Sequence, residues 1–589
     1  MLWPLVSDTN HFDYDAGLPP VERLPNRKEQ QATARRELRF RLMGMTIEWE
    51  EEPFEWIRPQ RFGITRRYLN GPVAEARARA EFIARPEGGT RLVYQVWARP
   101  RNVVGFLLIP FQVGWISARK FAATVRRYDQ LAFQGKPFLE LGGTARFAPG
   151  GRARLETLCK TLLVEGVASH LVTRLAETIK HADDLAVSRL RPYALADAWR
   201  SDRHEVLKLC LLATRLGLLD FRWDVLCPLC RGPKSTNTTL REVHAQVHCE
   251  SCNIDFTANF DQSVELTFRP NASVRCLDIR EFCVGGPQIT PHIVAQQLLG
   301  SKEQRNLTLP LEEGRYRLRV LGFPGGPFFR SDADGQPKAV FRTSTKGWFQ
   351  EEAHLNPTPM LQLENETDRE QLFILERLAW SDQATTAAEV IALQIFRDLF
   401  ANEALRPGEQ ISVGSMTILF TDLRHSTRLY REIGDAPAFG RVMKHFDLLR
   451  EALVEEEGAL VKTIGDAVMG VFRRPVSALQ AVLKAQQRLA ASSEPSLPLL
   501  LKVGIHHGPC IAVNLNERMD YFGSTVNIAA RLVNLSSGED IVISHAVYAD
   551  PEVDEWFHRS GQTVRVEPAE STLRGFGDET FGIWRVRSG

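Results

Sequence analysis

Two aspartates lie at the edges of apolar segments in the last third of the chain. Asp422 ends the run 419–421, and Asp466 follows a glycine and precedes the apolar run 467–472. Mg²⁺ prefers oxygen ligands and commonly keeps only one or two protein carboxylates, which these two side chains can supply together. Two divalent cations held close together are the usual arrangement for displacement at phosphorus. The pattern therefore predicts a metal site for polyphosphate chemistry.

Four further polar side chains fit a nucleotide. Asn527 and Arg531 are four positions apart on a predicted helix and therefore share one face. The guanidinium of Arg531 matches phosphate oxygens, although an isolated arginine of this kind is more often a solvated surface residue. Lys462 can only donate hydrogen bonds and Asp520 can only accept them, which fits the N1 acceptor and the N6 donor of adenine. With the two aspartates, these positions predict an adenine nucleotide site.

The predicted elements that position these residues alternate between strands and helices. After residue 412 they are strand 416–421, helix 437–456, hairpin strands 460–463 and 467–472, helix 476–489, strand 499–506, helix 523–535, strand 541–544 and a terminal hairpin within 572–586. This order predicts an α/β catalytic domain over residues 412–589.

Three motifs in this region resemble those of a known family. They are Phe420-Thr421-Asp422-Leu423, Lys462-Thr463-Ile464-Gly465-Asp466, and Asp520-Tyr521-Phe522-Gly523 followed by Val526-Asn527-Ile528-Ala529-Ala530-Arg531. In order and spacing they resemble the class III nucleotidyl cyclase catalytic domain, from Ser415 to Val586. The resemblance implies a ferredoxin-like α/β core and an adenylyl cyclase that converts ATP into 3′,5′-cyclic AMP and pyrophosphate.

The same resemblance assigns roles to the nucleotide-binding residues. Lys462 and Asp520 would bind adenine, at positions where guanylyl cyclases typically carry Glu and Cys. Asn527 would orient the ribose, and Arg531 would meet the charge that develops on the α-phosphoryl group.

The resemblance also implies two metal ions per active site and a homodimer. Asp422 and Asp466 would hold Mg²⁺ or Mn²⁺, and in this family they come from one protomer while the four nucleotide-binding residues come from the other. All six occur in this chain, so a homodimer would form two equivalent composite sites. A cyclase of another nucleotide and a catalytically silent nucleotide-binding sensor are the alternatives.

Cysteine spacing predicts a second metal site. Cys227 and Cys230 form one Cys-x-x-Cys pair, and Cys249 and Cys252 form another, with 18 residues between the pairs. Zn²⁺ prefers four thiolate or imidazole ligands, and two such pairs supply four thiolates to one ion. We expect a zinc ribbon over residues 223–270 with a structural Zn²⁺, because no thioredoxin-like context favours redox pairs. A nucleic-acid-binding ribbon is disfavoured because no recognition helix is evident.

Length and composition constrain the rest of the chain. A chain of 589 residues is too long for one core, and 44% hydrophobic with 25% charged residues is typical of globular domains. Lys and Arg number 73 against 72 Asp and Glu, which gives no overall attraction to nucleic acid or anionic membrane but leaves local patches open. With nine cysteines and no signal-peptide pattern, we expect a cytoplasmic protein.

We expect a multidomain α+β protein whose N-terminal two thirds regulate the catalytic domain. The expected segments are an N-terminal tail (1–36), a helix-grip domain (37–150), a helical connector (151–222), the zinc ribbon (223–270), a β-rich, sandwich-like domain (271–378) and a signalling or dimerisation helix (379–411) with Ser381 or Asp382 as its N-cap.

The predicted helix-grip domain suggests a ligand. An alternating strand over 76–82 and an amphipathic helix over 118–133 resemble the START and polyketide-cyclase folds, which often enclose an apolar small molecule. Such a molecule would be a regulator, whereas a filled β domain used only for packing is the alternative. The most apolar run, 103–116, is too short to span a bilayer and is expected to lie in the core.

Overall fold

The computed structural model describes residues 2–24, 35–42, 44–134, 145–228, 231–249, 254–321, 323, 325–345, 347–348, 353–378, 384–401, 403, 405, 410–492, 499–515, 518–560 and 564–588. The described chain forms an N-terminal β region, a middle region of helices and small sheets, and a C-terminal α/β domain.

The N-terminal region begins with two short helices and continues as antiparallel strands. These elements are α1 (Leu2–Val6), α2 (Thr9–Asp15), β1 (Glu22–Arg23), β2 (Arg36–Leu42), β3 (Met45–Glu51), β4 (Glu55–Ile57), β5 (Arg61–Tyr68), β6 (Val73–Ala84) and β7 (Thr90–Pro100). The predicted strand over 76–82 is confirmed as part of β6. Trp3 of α1 and Phe12 of α2 belong to the same buried cluster as Phe62 of β5, so both helices cover one face of the sheet.

A long helical segment follows β7. It consists of α3 (Val103–Ile109), a π-helix (Pro110–Ser117) and α4 (Ala118–Gln134). The predicted helix over 118–133 is confirmed by α4, which packs Phe121 and Tyr128 against the sheet. The expectation that the run 103–116 lies in the core is wrong, because Phe106 and Leu107 are each 69% exposed.

The exposure of this run follows from the way α3 contacts the sheet. Gly105 is the buried residue of α3, and a Cβ at this position would lie 1.9 Å from the carbonyl oxygen of Pro72. The helix therefore docks through bare backbone, and its large side chains project into solvent. Within the described ranges, no helix combines the length and apolar character needed to cross a membrane.

The middle region packs helices against two small sheets. Its elements are α5 (Gly151–Val164), α6 (Ser169–His181), α7 (Asp184–Val187), α8 (Pro192–Trp199), α9 (Arg203–Arg215), β8 (Leu219–Leu226), β9 (Pro233–Asn237), β10 (Gln246–Cys249), β11 (Ile254–Thr257) and β12 (Val264–Pro270). β12, β8 and β9 form a three-stranded sheet, and β10 and β11 form a hairpin.

A third set of strands joins the N-terminal strands. It consists of β13 (Ile293–Leu299), β14 (Gln304–Thr308), β15 (Gly314–Val320), β16 (Phe328–Ser344), β17 (Gly347–Trp348), β18 (Ala353–Asn365) and β19 (Gln371–Arg377). β4 pairs with β13, so the described strands form one 14-stranded sheet, whereas the sequence pattern predicts separate domains over 37–150 and 271–378. Local periodicity carries no information on which distant strands pair, so the sequence pattern does not predict that these two sets of strands form one sheet.

The segment before the C-terminal domain contains two short helices instead of one long helix. They are α10 (Ala387–Ile391) and α11 (Gln394–Leu399), and Leu393 between them has extended backbone. Thr386 caps α10 by accepting a hydrogen bond from the backbone of Glu389. The predicted caps Ser381 and Asp382 lie outside the described residues.

The C-terminal domain alternates strands and helices in the predicted order. Its elements are β20 (Gln410–Leu423), α12 (Ser426–Ile433), α13 (Asp435–Glu455), β21 (Ala459–Ile464), β22 (Ala467–Phe472), α14 (Pro475–Ser492), β23 (Leu501–Leu515), β24 (Arg518–Phe522), α15 (Ser524–Leu532), β25 (Ile541–Ser544), α16 (His545–Tyr548), α17 (Pro551–Ser560), β26 (Val564–Thr572) and β27 (Thr580–Ser588).

The strands of this domain form one sheet with two different apolar faces. The order is β21-β22-β20-β23-β25-β27-β26, and β24 pairs with β23. Leu419 and Leu423 of β20 pack into a cluster with α13 and α14 on one face. Met416 and Ile418 face the other side, where they join a cluster that extends through α10 and α11 to Trp223 of the middle region. The C-terminal domain and the middle region thus share one core.

Candidate functional site

The predicted metal aspartates lie at adjacent strand ends. Asp422 is near the end of β20, and Asp466 occupies the turn between β21 and β22, where Gly465 adopts φ 65°. β20 pairs directly with β22, which brings both carboxylates to the same edge of the sheet. Lys502 Nζ lies 3.9 Å from Asp422 Oδ2.

The electrostatics of this pair suit a cation. Burial, and next the negative charge of Asp466, raises the pKa of Asp422 above its ordinary value. Asp466 Oδ2 is buried and has no hydrogen-bond partner among the described residues. A buried carboxylate oxygen without a donor is costly, and two repelling carboxylates add to that cost. Both costs would be relieved by a bound divalent cation.

A buried histidine below this site was not found from the sequence. His445 of α13 is fully buried, and burial lowers its pKa to about 4, while the charge of Asp466 acts in the opposite direction. Neutral His445 therefore adds no positive charge to that of Lys502 beside the aspartates. Its position on an amphipathic helix carried no signal, because one buried histidine fits an ordinary helix core.

The predicted base-binding residues contact each other. Lys462 Nζ donates to Asp520 Oδ2 at 2.6 Å. The Asp520 side chain is 6% exposed and accepts a second hydrogen bond from the backbone of Tyr521 at 2.8 Å. Lys462 Nζ also lies 5.9 Å from the centre of the Phe522 ring. The donor and the acceptor are thus held side by side next to an exposed aromatic ring.

The predicted ribose and phosphate residues project from one helix. Asn527 and Arg531 of α15 are exposed, and their side chains make no hydrogen bond to any described residue. The helix itself is fixed, because Gly504 of β23 lies so close that a Cβ there would be 2.3 Å from the backbone nitrogen of Val533. Thr525 Oγ1 also donates to the carbonyl of Pro509 at 2.8 Å. A rigid helix therefore carries two unengaged polar side chains.

The short helix α11 holds the strands that carry the base-binding pair. Gln394 Oε1 accepts from the backbone nitrogen of Leu460 on β21 at 2.7 Å. Arg397 Nη2 donates to the carbonyl of Met519 on β24 at 2.7 Å, and its guanidinium lies 5.8 Å from the ring of Tyr521. These positioning contacts were also missed, because hydrophobic periodicity marks only the apolar side of a helix.

The predicted site residues form two pairs, and the remaining two side chains, Asn527 and Arg531, are exposed to solvent. Asp422 lies with Asp466, and Lys462 lies with Asp520. Among the described residues no hydrogen bond or ion pair joins one group to the other, nor either group to α15. A single chain therefore presents parts of a nucleotide site that face outward separately.

The predicted zinc cysteines are described only in part. Cys227 follows β8 and Cys249 ends β10, and both are buried. Cys230 and Cys252 lie outside the described residues. Arg231 donates its backbone N–H to the carbonyl of Cys227 at 2.9 Å, which closes a tight turn after the first cysteine. No metal-binding group of three or more His, Cys, Asp or Glu occurs among the residues that the structure describes.

Comparison with known families decides what the C-terminal region is. Residues 409–572 match the family described as "Adenylate and Guanylate cyclase catalytic domain". This region is a class III cyclase catalytic domain. Residues 155–281 match a second model, described as "Family of unknown function (DUF5939)".

Curated relatives of the cyclase domain include named adenylate cyclases. The adenylate cyclase of Lachancea kluyveri is 30% identical over 200 residues, which cover 30% of this chain and 11% of that protein. Adenylate cyclase 1 of Rhizobium meliloti (strain 1021) is 28% identical over 152 residues, which cover 23% of each protein. The matched part is thus a quarter or less of these relatives.

Solved cyclase domains are also similar to this region. The adenylyl cyclase CyaB from P. aeruginosa is 22% identical, with 31% of this chain and 97% of that chain covered and a TM-score of 0.26.

Proposed function

We propose that this chain is an adenylyl cyclase that converts ATP into 3′,5′-cyclic AMP and pyrophosphate. In this reaction the ribose O3′ forms a bond to the α-phosphorus, and the bond from that phosphorus to the bridging oxygen of pyrophosphate breaks. The observation that carries the proposal is the Lys462–Asp520 contact at 2.6 Å, one donor beside one acceptor, in a domain that also pairs Asp422 with Asp466.

The adenine edge matches the base-binding pair. Lys462 retains two ammonium donors beyond the one given to Asp520, and the carboxylate retains free lone pairs. The ammonium therefore donates to adenine N1 while the carboxylate accepts from the N6 amino group. The exposed ring of Phe522 lies beside this pair and offers an apolar face to the base.

Asp422 and Asp466 would hold two Mg²⁺ or Mn²⁺ ions, and the residues present fit these metals. Carboxylate oxygens are the ligands that such hard cations prefer, and Asp466 has a buried oxygen without a described partner. When bound, the metals would acidify the 3′-hydroxyl and stabilise the leaving pyrophosphate.

The helix α15 would act on the sugar and on the phosphate. Asn527 presents an amide that donates and accepts, as ribose orientation requires, and Arg531 presents a fork of donors to the α-phosphoryl oxygens. Because both side chains are exposed and unengaged, no internal hydrogen bond has to break before they bind. Arg531 stabilises the negative charge that develops during the displacement.

A homodimer completes this site in the proposal. The surface near the base-binding pair carries exposed large apolar residues, among them Ile464 at 55% and Phe522 at 46% exposed. Exposed apolar residues beside a polar site are typical of a surface covered by a partner. Two copies related by a two-fold axis would each place Lys462 and Arg531 against the other's Asp422 and Asp466.

The activity is tested with the full-length protein, ATP and either Mg²⁺ or Mn²⁺. We expect cyclic AMP and pyrophosphate in equal amounts. We expect Asp422→Asn and Asp466→Asn to lose turnover and to remain dimers, as measured by light scattering. Asp554→Asn, an exposed aspartate on α17, is the matched control and is expected to keep full activity. Absence of cyclic AMP with both metals, or activity in either aspartate variant, would contradict the proposal.

We also propose that Cys227, Cys230, Cys249 and Cys252 hold one structural Zn²⁺. The two described cysteines are buried in the shared core, one directly after β8 and one at the end of β10. We expect about one zinc per purified chain, reduced in Cys227→Ser and unchanged in Cys276→Ser, an exposed cysteine outside the ribbon. Elemental analysis measures this, and zinc-free wild-type protein would refute the assignment.

The N-terminal two thirds would regulate catalysis in this proposal. The contacts of Gln394 and Arg397 support this, because they link the middle region to the strands of the base-binding pair. A groove of about 750 Å³ in the N-terminal sheet is lined by Arg61, Arg79 and Arg305, among other residues. Glu52, Glu55 and Glu75 also line this groove, so it favours a polar or charged ligand over the apolar regulator expected from the sequence.

A further inference from the structure

The helical segment 103–117 presents an unusually apolar surface. Seven of its large apolar side chains are exposed: Val103, Val104, Phe106, Leu107, Leu108, Phe111 and Trp115. Soluble surfaces rarely expose contiguous apolar patches of this kind unless a partner or a membrane covers them. We call this set the apolar ridge.

The ridge is held firmly in its exposed position. The side chain of Asn102 caps α3 by accepting from the backbone of Gly105 at 2.9 Å, and Gly105 packs on the backbone of Pro72. Tyr128 of α4 is fully buried and donates to Asp15 at 2.7 Å, which anchors the other end of the segment. The exposure is therefore a property of the packed fold.

The helical segment that carries the ridge has charged residues of one sign. From residue 101 to residue 128 the sequence contains no Asp or Glu. The basic residues of this stretch are Arg101, Arg119, Lys120, Arg126 and Arg127, all exposed. Arg127 pairs with Asp15, whereas Arg119 lies 4.1 Å from the centre of the Trp115 ring at the border of the ridge.

We propose that the apolar ridge binds the surface of an anionic lipid membrane, with the helical segment lying in the plane of the interface. Aromatic and aliphatic side chains would enter the boundary between headgroups and acyl chains. The bordering Arg119 and Lys120 would contact anionic headgroups, and the Trp115–Arg119 stack is suited to the headgroup level.

The charge pattern favours lipid over a second copy of the chain. A symmetric contact between two ridges would bring the basic borders of both copies together, with no acidic residue from 101 to 128 to offset them. An anionic lipid surface supplies opposite charge along the whole border instead. The segment is also too short to cross a bilayer, so it lies on the surface.

The test uses full-length protein and flotation with vesicles of phosphatidylcholine mixed equally with phosphatidylglycerol, compared with pure phosphatidylcholine. We expect wild type to float with the anionic vesicles, and Phe106→Glu with Leu107→Glu to reduce the vesicle-bound fraction at least about tenfold. Val164→Glu, at an 87% exposed position at the end of α5, is the matched control and is expected to float like wild type.

A second variant separates the charge contribution from the apolar one. Arg119→Glu with Lys120→Glu is expected to remove the preference for anionic over neutral vesicles while the ridge stays intact. Near-ultraviolet circular dichroism verifies that each variant is folded. Equal flotation of the Phe106 and Leu107 variant and wild type would overturn the proposal. A second result would also overturn it: wild type does not bind vesicles but self-associates, and the Phe106 and Leu107 variant does not self-associate. That result would assign the ridge to a second copy of the chain.

Discussion

In the proposed enzyme, two side chains would determine which base the candidate site accepts. Lys462 and Asp520 hold each other at 2.6 Å, so the ammonium is aimed by a buried carboxylate and not by the ligand. A donor positioned before binding loses little conformational freedom when the base arrives. Base preference in the proposed enzyme therefore follows from two side chains, one on β21 and one on β24, which meet although these strands do not pair.

Exchanging this pair for the guanylyl type is expected to change the preferred nucleotide. In Lys462→Glu with Asp520→Cys, an acceptor replaces the donor, and guanine offers N1–H and amino donors where adenine offers an acceptor. We expect the ratio of kcat/KM for ATP to that for GTP to fall at least about tenfold, because a mismatched polar pair is left unpaired.

Initial rates with each nucleotide measure the change. Arg559→Glu on α17 reverses a charge in the same domain and serves as the control, with an unaltered ratio expected. A double variant that keeps the wild-type ratio would remove the base-binding role from these two residues.

At this scale the sequence predicted where the candidate residues lie, because residue type and local spacing are enough to place them beside apolar strands. Their roles stay predictions. Asp422 and Asp466 were placed at strand edges from apolar runs, and the structure has them there. His445 and Arg397 could not be predicted from residue type and local spacing. Their importance comes from what surrounds them in three dimensions, and neither residue type nor periodicity records it.

At the scale of elements, α11 connects the middle region to the catalytic sheet. Its Arg397 reaches β24 at Met519, and its Gln394 reaches β21 at Leu460. These two strands carry Asp520 and Lys462. A shift of α11 would therefore act on the base-binding pair and, through β21, also on Asp466, which follows that strand.

Arg397→Ala is expected to weaken nucleotide binding more than it slows the chemical step. The variant loses the hydrogen bond to the Met519 carbonyl and the contact with the Tyr521 ring, and a hydrogen bond to a charged group contributes about 1.5–3 kcal/mol. We expect KM for ATP to rise about tenfold, with a smaller change in kcat. Arg559→Ala is the control, and an unchanged KM in Arg397→Ala would show that α11 only packs.

Some predicted elements agree with the structure and one does not. α4 and β6 agree with the sequence because each has a strong local period. The single helix over 379–411 is wrong since Leu393 is extended, so that the apolar residues of α10 and α11 can pack on the sheet without a common axis. Burial on several sides blurs the period from which helix length is judged.

At the scale of the whole molecule, one apolar core unites the middle region with the catalytic domain. Phe396 of α11 is 2% exposed and packs edge-to-face on Trp223 of β8, at 5.9 Å between ring centres. Phe221 and Phe400 complete this aromatic group. The domain boundaries predicted from turns cut through this core.

Phe396→Ala is expected to destabilise both parts of the molecule together. Removing a buried phenyl ring costs about 3–5 kcal/mol through lost burial and the cavity left behind. Urea unfolding followed by near-ultraviolet circular dichroism and by residual cyclase activity should give one shared, lowered midpoint. Val164→Ala, at a fully solvated position, is expected to leave it unchanged, and separate midpoints for the two probes would contradict a shared core.

The pairing of β4 with β13 has a consequence for how the chain is made. Trp56 donates its indole N–H to the carbonyl of Ile293, which lies 237 residues later. At ribosomal rates of about 5–20 residues per second, roughly 10 to 50 s pass before that partner leaves the exit tunnel. During this interval β4 is an open sheet edge, which can pair with other nascent chains. The whole middle region is therefore synthesised before β13 can cover this edge.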